Sequence, residues 1–188
     1  MRARVLPVLA LALALIALVP GFWSRSFAAH MGQHLLLNDA VPLLLLPALR
    51  LRVLVHPALA LPLWLADLYL WHVPATYDAA LRHGALHWLA HLCLLGFGLA
   101  MWAPLLGSVR TPPSFGSGAR LLYLVAMQVG ALVLANVLLW WGAPLYDRYG
   151  LHDQRVGGGL LLVEGSAIFV AVAAWLVLGL LREEPRSA

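Results

Sequence analysis

Lysine is absent from this 188-residue chain, cysteine occurs once, and charged side chains make up only 11% of it. Each shortage excludes something. All twelve basic residues are arginines, opposed by eight acids, and no basic stripe or aromatic platform is formed, so the chain offers nothing to nucleic acid. The sequence pI near 9.8 reports arginines that flank apolar segments. A single cysteine, Cys93, rules out an internal disulfide and any CxxC metal or redox motif. No phosphate-cradling glycine loop, nucleophile elbow or helical HExxH pair is present, which argues against a kinase or hydrolase. No internal repeat stands out.

What the chain does have is apolar length: 63% hydrophobic residues and a mean hydropathy of +0.87. That composition belongs to an integral membrane protein whose helices are held by packing and polar contacts, because lipid is as apolar as leucine. The expectation is an all-α, polytopic transmembrane helix bundle forming one membrane domain over residues 1–188. Residues 1–28 are either its first transmembrane helix, Val5 to Val19 broken by Pro20-Gly21, or a signal peptide with small residues at Ser26 and Ala28. Further apolar spans read as 29–49, 57–71, 86–106, 120–142 and 157–181, most near the ~20 residues that cross a bilayer. Arg50-Leu51-Arg52 and the stretches 73–84, 107–118 and 143–156 read as loops.

Arginine placement sets the orientation. With the N-terminus inside, Arg2, Arg4, Arg50, Arg52, Arg110, Arg120, Arg182 and Arg186 are cytoplasmic, while Arg25, Arg82, Arg148 and Arg155 are outside. An excess of inner arginine favours about six spanning helices with both termini cytoplasmic.

Under that orientation seven of the eight histidines are outer, and only His56 is at the inner end. His30 and His34 open the second span four residues apart, hence on one helical face. His83, His87 and His91 lead into the fourth span at the same spacing, and His72 ends the third. At ~1.5 Å rise per residue, His34 and His91 both fall in the outer third of a hydrocarbon layer ~30 Å thick. Imidazoles at one depth on separate helices can point their nitrogens at a shared metal or haem. The plainer account of any one of them is a helix-end histidine satisfied in the headgroup region.

Asp67 and Glu164 lie in the outer half of their spans and Asp39 nearer the midplane. Each reads as a partner that orients a ligand, a ligand or a proton relay, and equally as one half of an ion pair with an outer arginine or a neutral protonated acid. Met31 sits about 100° around the helix from His30, and thioether with imidazole suits cuprous copper. Met101 and Met127 read as packing. The tryptophans, with Tyr69, Tyr77, Tyr146 and Tyr149, read as an aromatic belt at the span ends.

Several of these stretches occur together in one known family. Ser26-Phe27-Ala28-Ala29-His30-Met31-Gly32-Gln33-His34, then Trp71-His72-Val73-Pro74-Ala75-Thr76-Tyr77-Asp78-Ala79-Ala80-Leu81, then Leu86-His87-Trp88-Leu89-Ala90-His91, and finally Pro144-Leu145-Tyr146-Asp147 with Asp153-Gln154-Arg155, resemble the CtaG family of cytochrome c oxidase assembly factors. The chain departs from the family pattern at Ala90, Arg155 and Leu161-Leu162.

The resemblance implies a multi-pass protein of the bacterial inner membrane that helps mature a haem-copper oxidase, handling copper at the outer histidines. Its metal candidates are His30, His34, His72, His87, His91 and Met31. Asp67, Asp153, Gln154 and Glu164 are candidate supporting residues. Partners would be oxidase subunit I or related assembly proteins, the lipid bilayer, and a second copy in a homodimer. The alternative is a membrane b-type cytochrome that carries haem b between the histidine-bearing helices. A transporter relaying protons through Asp39, Asp67 and Glu164 ranks last, because the inner half of the membrane is nearly blank of polar groups.

Overall fold

A computed structural model of the chain describes residues 2–19, 25–49 and 51–183, and these are helical apart from loops and one isolated bridge, Leu54 to Arg110. The Pro20-Gly21 break, Arg50 and Arg186 lie outside the described residues. Helix α1 covers Arg2–Ala17 and packs on the segment that follows α2. Gln33 Nε2 donates to the Ala17 carbonyl at 2.6 Å, satisfying one of the acceptors that a helix leaves bare at its C-terminal end.

Helix α2 (Phe27–Leu35) continues through a π turn (Leu36–Ala40), α3 (Val41–Leu45) and a 3-10 turn (Leu46–Ala48), with right-handed helical backbone at each junction. The stretch expected as one span is therefore one rod with two changes of pitch. Prolines account for both. Pro42 has no N–H to give the carbonyl four residues back, and the Val41 N–H reaches Leu36 O, five back; Pro47 sits in the 3-10 turn.

Helices α4 (Pro57–His72), α5 (Pro74–Arg82), α6 (Gly84–Leu105), α7 (Ser117–Trp140) and α8 (Leu151–Glu183) complete the bundle. Three of them, over Gly84–Leu105, Ser117–Trp140 and Leu151–Arg182, are long and apolar enough to cross a membrane. Two stretches expected as loops are partly helical. Residues 73–84 contain α5, which is short and polar but opens on Pro74 and turns Tyr77, Asp78 and Ala80 inward. The start of α8 at Leu151 lies inside the expected 143–156 loop.

Small residues let the rods approach closely. A Cβ at Gly158 would meet Leu139 N at 2.8 Å and Ala135 O at 3.0 Å, so α7 and α8 pack backbone to backbone there. At the opposite end of the bundle from α5, the two loops around Val53 and Arg110 are stapled together. Leu51 N–H donates to Ser108 O at 2.8 Å, Arg110 N–H to Val53 O at 3.0 Å, and Ser108 Oγ to Leu46 O at 2.6 Å.

The first turn of α2 is fixed by two capping groups. Ser26 Oγ accepts from Ala29 N–H at 3.0 Å, while the Asp153 carboxylate, in the first turn of α8, accepts from Phe27 N–H at 2.6 Å and Ala28 N–H at 3.0 Å. A carboxylate there answers both the free N–H groups and the helix dipole. Asp153→Ala is expected to cost about 1–2 kcal/mol, lowering the unfolding temperature in detergent by a few degrees. An unchanged melting curve would remove this capping role.

Candidate metal centre

His30 and His34 lie one turn apart on α2 and share a face with His91 of α6. All three are buried, at 3%, 5% and 2% exposure, so protein and not water or headgroups surrounds the rings. His30 Nε2 stands 3.1 Å from His34 Nε2 and 3.3 Å from His91 Nε2, and the three residues offer nitrogens that all lie within 4.8 Å of one another. A metal with N–metal bonds of about 2.0–2.1 Å in tetrahedral geometry separates its ligand nitrogens by roughly 3.3 Å. Two of the three separations, His30 to His34 and His30 to His91, have that spacing, and a small closure of His34 toward His91 would hold an ion with a fourth position left over.

Tyr77 of α5 orients the first ring. Its Oη lies 2.6 Å from His30 Nδ1, and the phenol is also hydrogen-bonded to Tyr149. A phenol has one proton to give. With that proton on the Tyr149 side, His30 donates its Nδ1–H to Tyr77, which leaves the His30 lone pair at Nε2, facing His34 and His91. Burial, reinforced by Tyr149, Tyr146 and Asp78, holds the Tyr77 phenol well above its ordinary pKa, so it stays protonated at neutral pH. Burial likewise raises Tyr146 and Tyr149.

The other expected ligands surround this core. His87 is half-buried, its ring centroid 4.3 Å from that of His91 and 5.2 Å from that of His30. His83, one turn earlier, is exposed. His72 is buried with its centroid 5.2 Å from that of His34, and its Nδ1 lies 2.6 Å from Leu68 O. Met31, fully buried, packs instead against α8 at Gly157.

The expected supporting residues are engaged in various ways. Asp153 caps α2. Gln154 accepts from Leu145 N–H at 2.7 Å and donates to Leu138 O at 3.1 Å, tying the α7–α8 loop to the end of α7. Asp67 accepts from Trp71 Nε1 at 2.8 Å, and its second oxygen is buried without a partner. Glu164 lines a cavity that also touches His34 and His72.

Sequence reasoning placed Tyr77, Tyr146, Trp64 and Trp102 at the aromatic belt, and the structure buries all four. Phe27 stacks on Tyr146 at 5.0 Å, Tyr77 lies 4.1 Å from Tyr146, and Tyr146 Oη donates to His72 O at 3.0 Å, so the aromatics roof the imidazoles. The available signal was Tyr77 on a short stretch opened by Pro74, directly after His72.

The sequence model that describes the cytochrome c oxidase caa3 assembly factors (Caa3_CtaG) matches residues 47–183, well over half of the chain. The chain belongs to that family. Within this caa3 assembly factor the matched stretch holds His72, His87, His91, Asp153 and Gln154, while His30 and His34 precede it. No curated protein and no solved structure matches the chain significantly.

Proposed function

We propose that this member of the caa3 assembly factor family handles copper for a haem-copper oxidase at the outer face of a bacterial inner membrane. The supporting observation is the convergence of three buried imidazoles from two helices, with His30 Nε2 3.1 Å from His34 Nε2 and 3.3 Å from His91 Nε2. Three neutral imidazoles bring no negative charge, so a monovalent cation costs less to desolvate there than a divalent one, and cuprous copper accepts imidazole nitrogen. Copper is the cargo. His83, the residue that precedes α6, and His87 and His91 on its first two turns are exposed, half-buried and buried in that order, and form the entry ladder. Burial of the final three nitrogens keeps water away from the bound ion.

The six rods α1, α2 with α3, α4, α6, α7 and α8, together with the inner excess of arginine, favour six spans with both termini cytoplasmic. Delivery would be to oxidase subunit I or to another assembly protein, by a non-enzymatic route, from a monomer or a homodimer. Haem b is the competing ligand. Two axial imidazoles must lie on opposite faces of a macrocycle, whereas these nitrogens approach one another directly, which favours a bare ion.

Purified full-length protein loaded anaerobically with Cu(I) and then desalted is expected to retain copper and to show no Soret absorption. Complete loss of copper on desalting would overturn the copper reading, and a Soret band in the protein as purified would put the haem reading in its place.

A further inference from the structure

Further into the bundle than the imidazole cluster lies a cavity of about 60 Å³ bounded by α2 and its π turn, α4, α6, α7 and α8. That volume admits a few waters or one partly hydrated ion. Its polar lining is His34, Asn38, Asp39, His72, Gln128 and Glu164. Among the described residues no arginine lines it, and the chain has no lysine, so two carboxyl groups face a low-dielectric space in which imidazole is the one basic group.

The lining is built rather than incidental. The π turn sets Asn38 and Asp39, both buried, against two tryptophans: Trp64 Nε1 donates to Asn38 Oδ1 at 2.7 Å and Trp102 Nε1 to Asp39 Oδ1 at 2.9 Å. Asn38 Nδ2 donates to Asp39 Oδ2 at 2.9 Å. Each Asp39 oxygen thus has one donor and keeps a lone pair.

His72 supplies an independent sign of a ligand. A backbone carbonyl can only accept, so the contact with Leu68 O places the ring proton on Nδ1 and leaves the lone pair of the neutral ring on Nε2. That nitrogen is buried and has no partner, in a residue only 6% exposed. His34 Nδ1 is equally buried and unpartnered. Buried polar nitrogens without a partner are uncommon in folded proteins unless water or an ion meets them.

We propose that this chamber is a second cation station, continuous with the outer cluster through His34, that takes a divalent metal ion between His72 Nε2, Asp39 and Glu164. Mixed imidazole and carboxylate donors suit borderline divalent ions such as zinc(II), and two carboxylates neutralise the ion's charge where the outer imidazoles cannot. Among the described residues only His30, His34 and His91 approach as a set within 4.8 Å, so the inner ligands reach their ion through water or a change of rotamer. A neutral imidazole has one lone pair, so His34 serves one centre at a time. The proposal rests on the outer cluster binding an ion, and a count of bound ions separates the two.

The test is anaerobic loading of the full-length protein in detergent with Cu(I) and then with Zn²⁺, followed by desalting and elemental analysis. Two ions per chain, one copper and one zinc, are expected in the wild type. One should remain in His91→Ala, which disables the outer site, and one in Asp39→Asn or Glu164→Gln, which disable the inner. If Asp39→Asn fails to give monodisperse protein, Glu164→Gln at the more exposed carboxyl carries the test. A wild-type count of one that survives both carboxyl substitutions would overturn the inner station and leave the outer one standing. A wild-type count of two that stays at two in both would overturn the ligand assignment. A count of zero would overturn both sites together.

Discussion

His91→Ala is expected to weaken Cu(I) binding by the purified protein by more than a hundredfold, with a matching loss of oxidase activity in cells that depend on this factor. The scale follows from what lesser changes do at metal sites: removing a residue that only orients a ligand costs about 10–100-fold in affinity, and His91 would be a ligand. Its Nε2 is 3.3 Å from His30 Nε2, and without it two imidazoles of one helix remain, too few to enclose an ion. Tyr77→Phe should fall within the lesser range, because it removes only the hydroxyl 2.6 Å from His30 Nδ1. His152→Ala serves as the control, since that ring is exposed on the first turn of α8. A competition titration with a Cu(I) chelator measures all three. Equal affinities for His91→Ala and His152→Ala would take the metal away from this cluster.

The cluster was legible in the sequence because it obeys simple geometry. Four-residue spacing puts His30 over His34 and His87 over His91, and equal depth brings the two helices' rings together; both follow from the rise and pitch of a helix. The apolar runs that became α4, α6 and α7 were read to within about three residues, and the run that became α8 was placed correctly apart from its first turns. Helix α5 was hidden because nine residues of mixed character between two spans, with Leu81 the one large aliphatic among them, look like a loop until something buries one face. Tyr77 at 2% exposure is that face, and the same burial carries it to His30.

The π turn escaped for a different reason. Apolar periodicity assumes 3.6 residues per turn, and a single wide turn inside a leucine-rich run leaves the pattern almost unchanged. Pro42, four residues after Asn38, was the mark it left. Tryptophans at span ends are ordinarily interfacial, which hid Trp102; Trp64, midway along the expected 57–71 span, was the visible exception, and the two indole N–H groups hold Asp39 and Asn38. Asp153 shows the same limit: its partner amides are those of Phe27 and Ala28, about 125 residues earlier in the chain.

Gly98 ties the fold to the site, and Gly98→Ala is expected to be the most damaging single-methyl change in the bundle. A Cβ at that position of α6 would lie 2.6 Å from Asn38 O, 3.0 Å from Asn38 Cα and 3.1 Å from Asn38 Oδ1. Two of those atoms are backbone, so no rotamer change relieves the contact, and α6 must move off the π turn. Overpacking of this kind costs about 1–3 kcal/mol even where neighbours yield, and here it also pulls on the bonds from Trp64 to Asn38 and from Asn38 to Asp39. Gly96 is the internal comparison, with nothing within 4 Å of its Cβ position. Alanine there should be neutral or slightly stabilising, since glycine inside a helix is disfavoured by about 1 kcal/mol. Thermal unfolding in detergent should therefore separate the two variants by several degrees, with Gly98→Ala the lower and poorer in monodisperse yield. Equal melting temperatures would mean that α6 and the π turn are not in the close contact that positions His91 opposite His30 and His34.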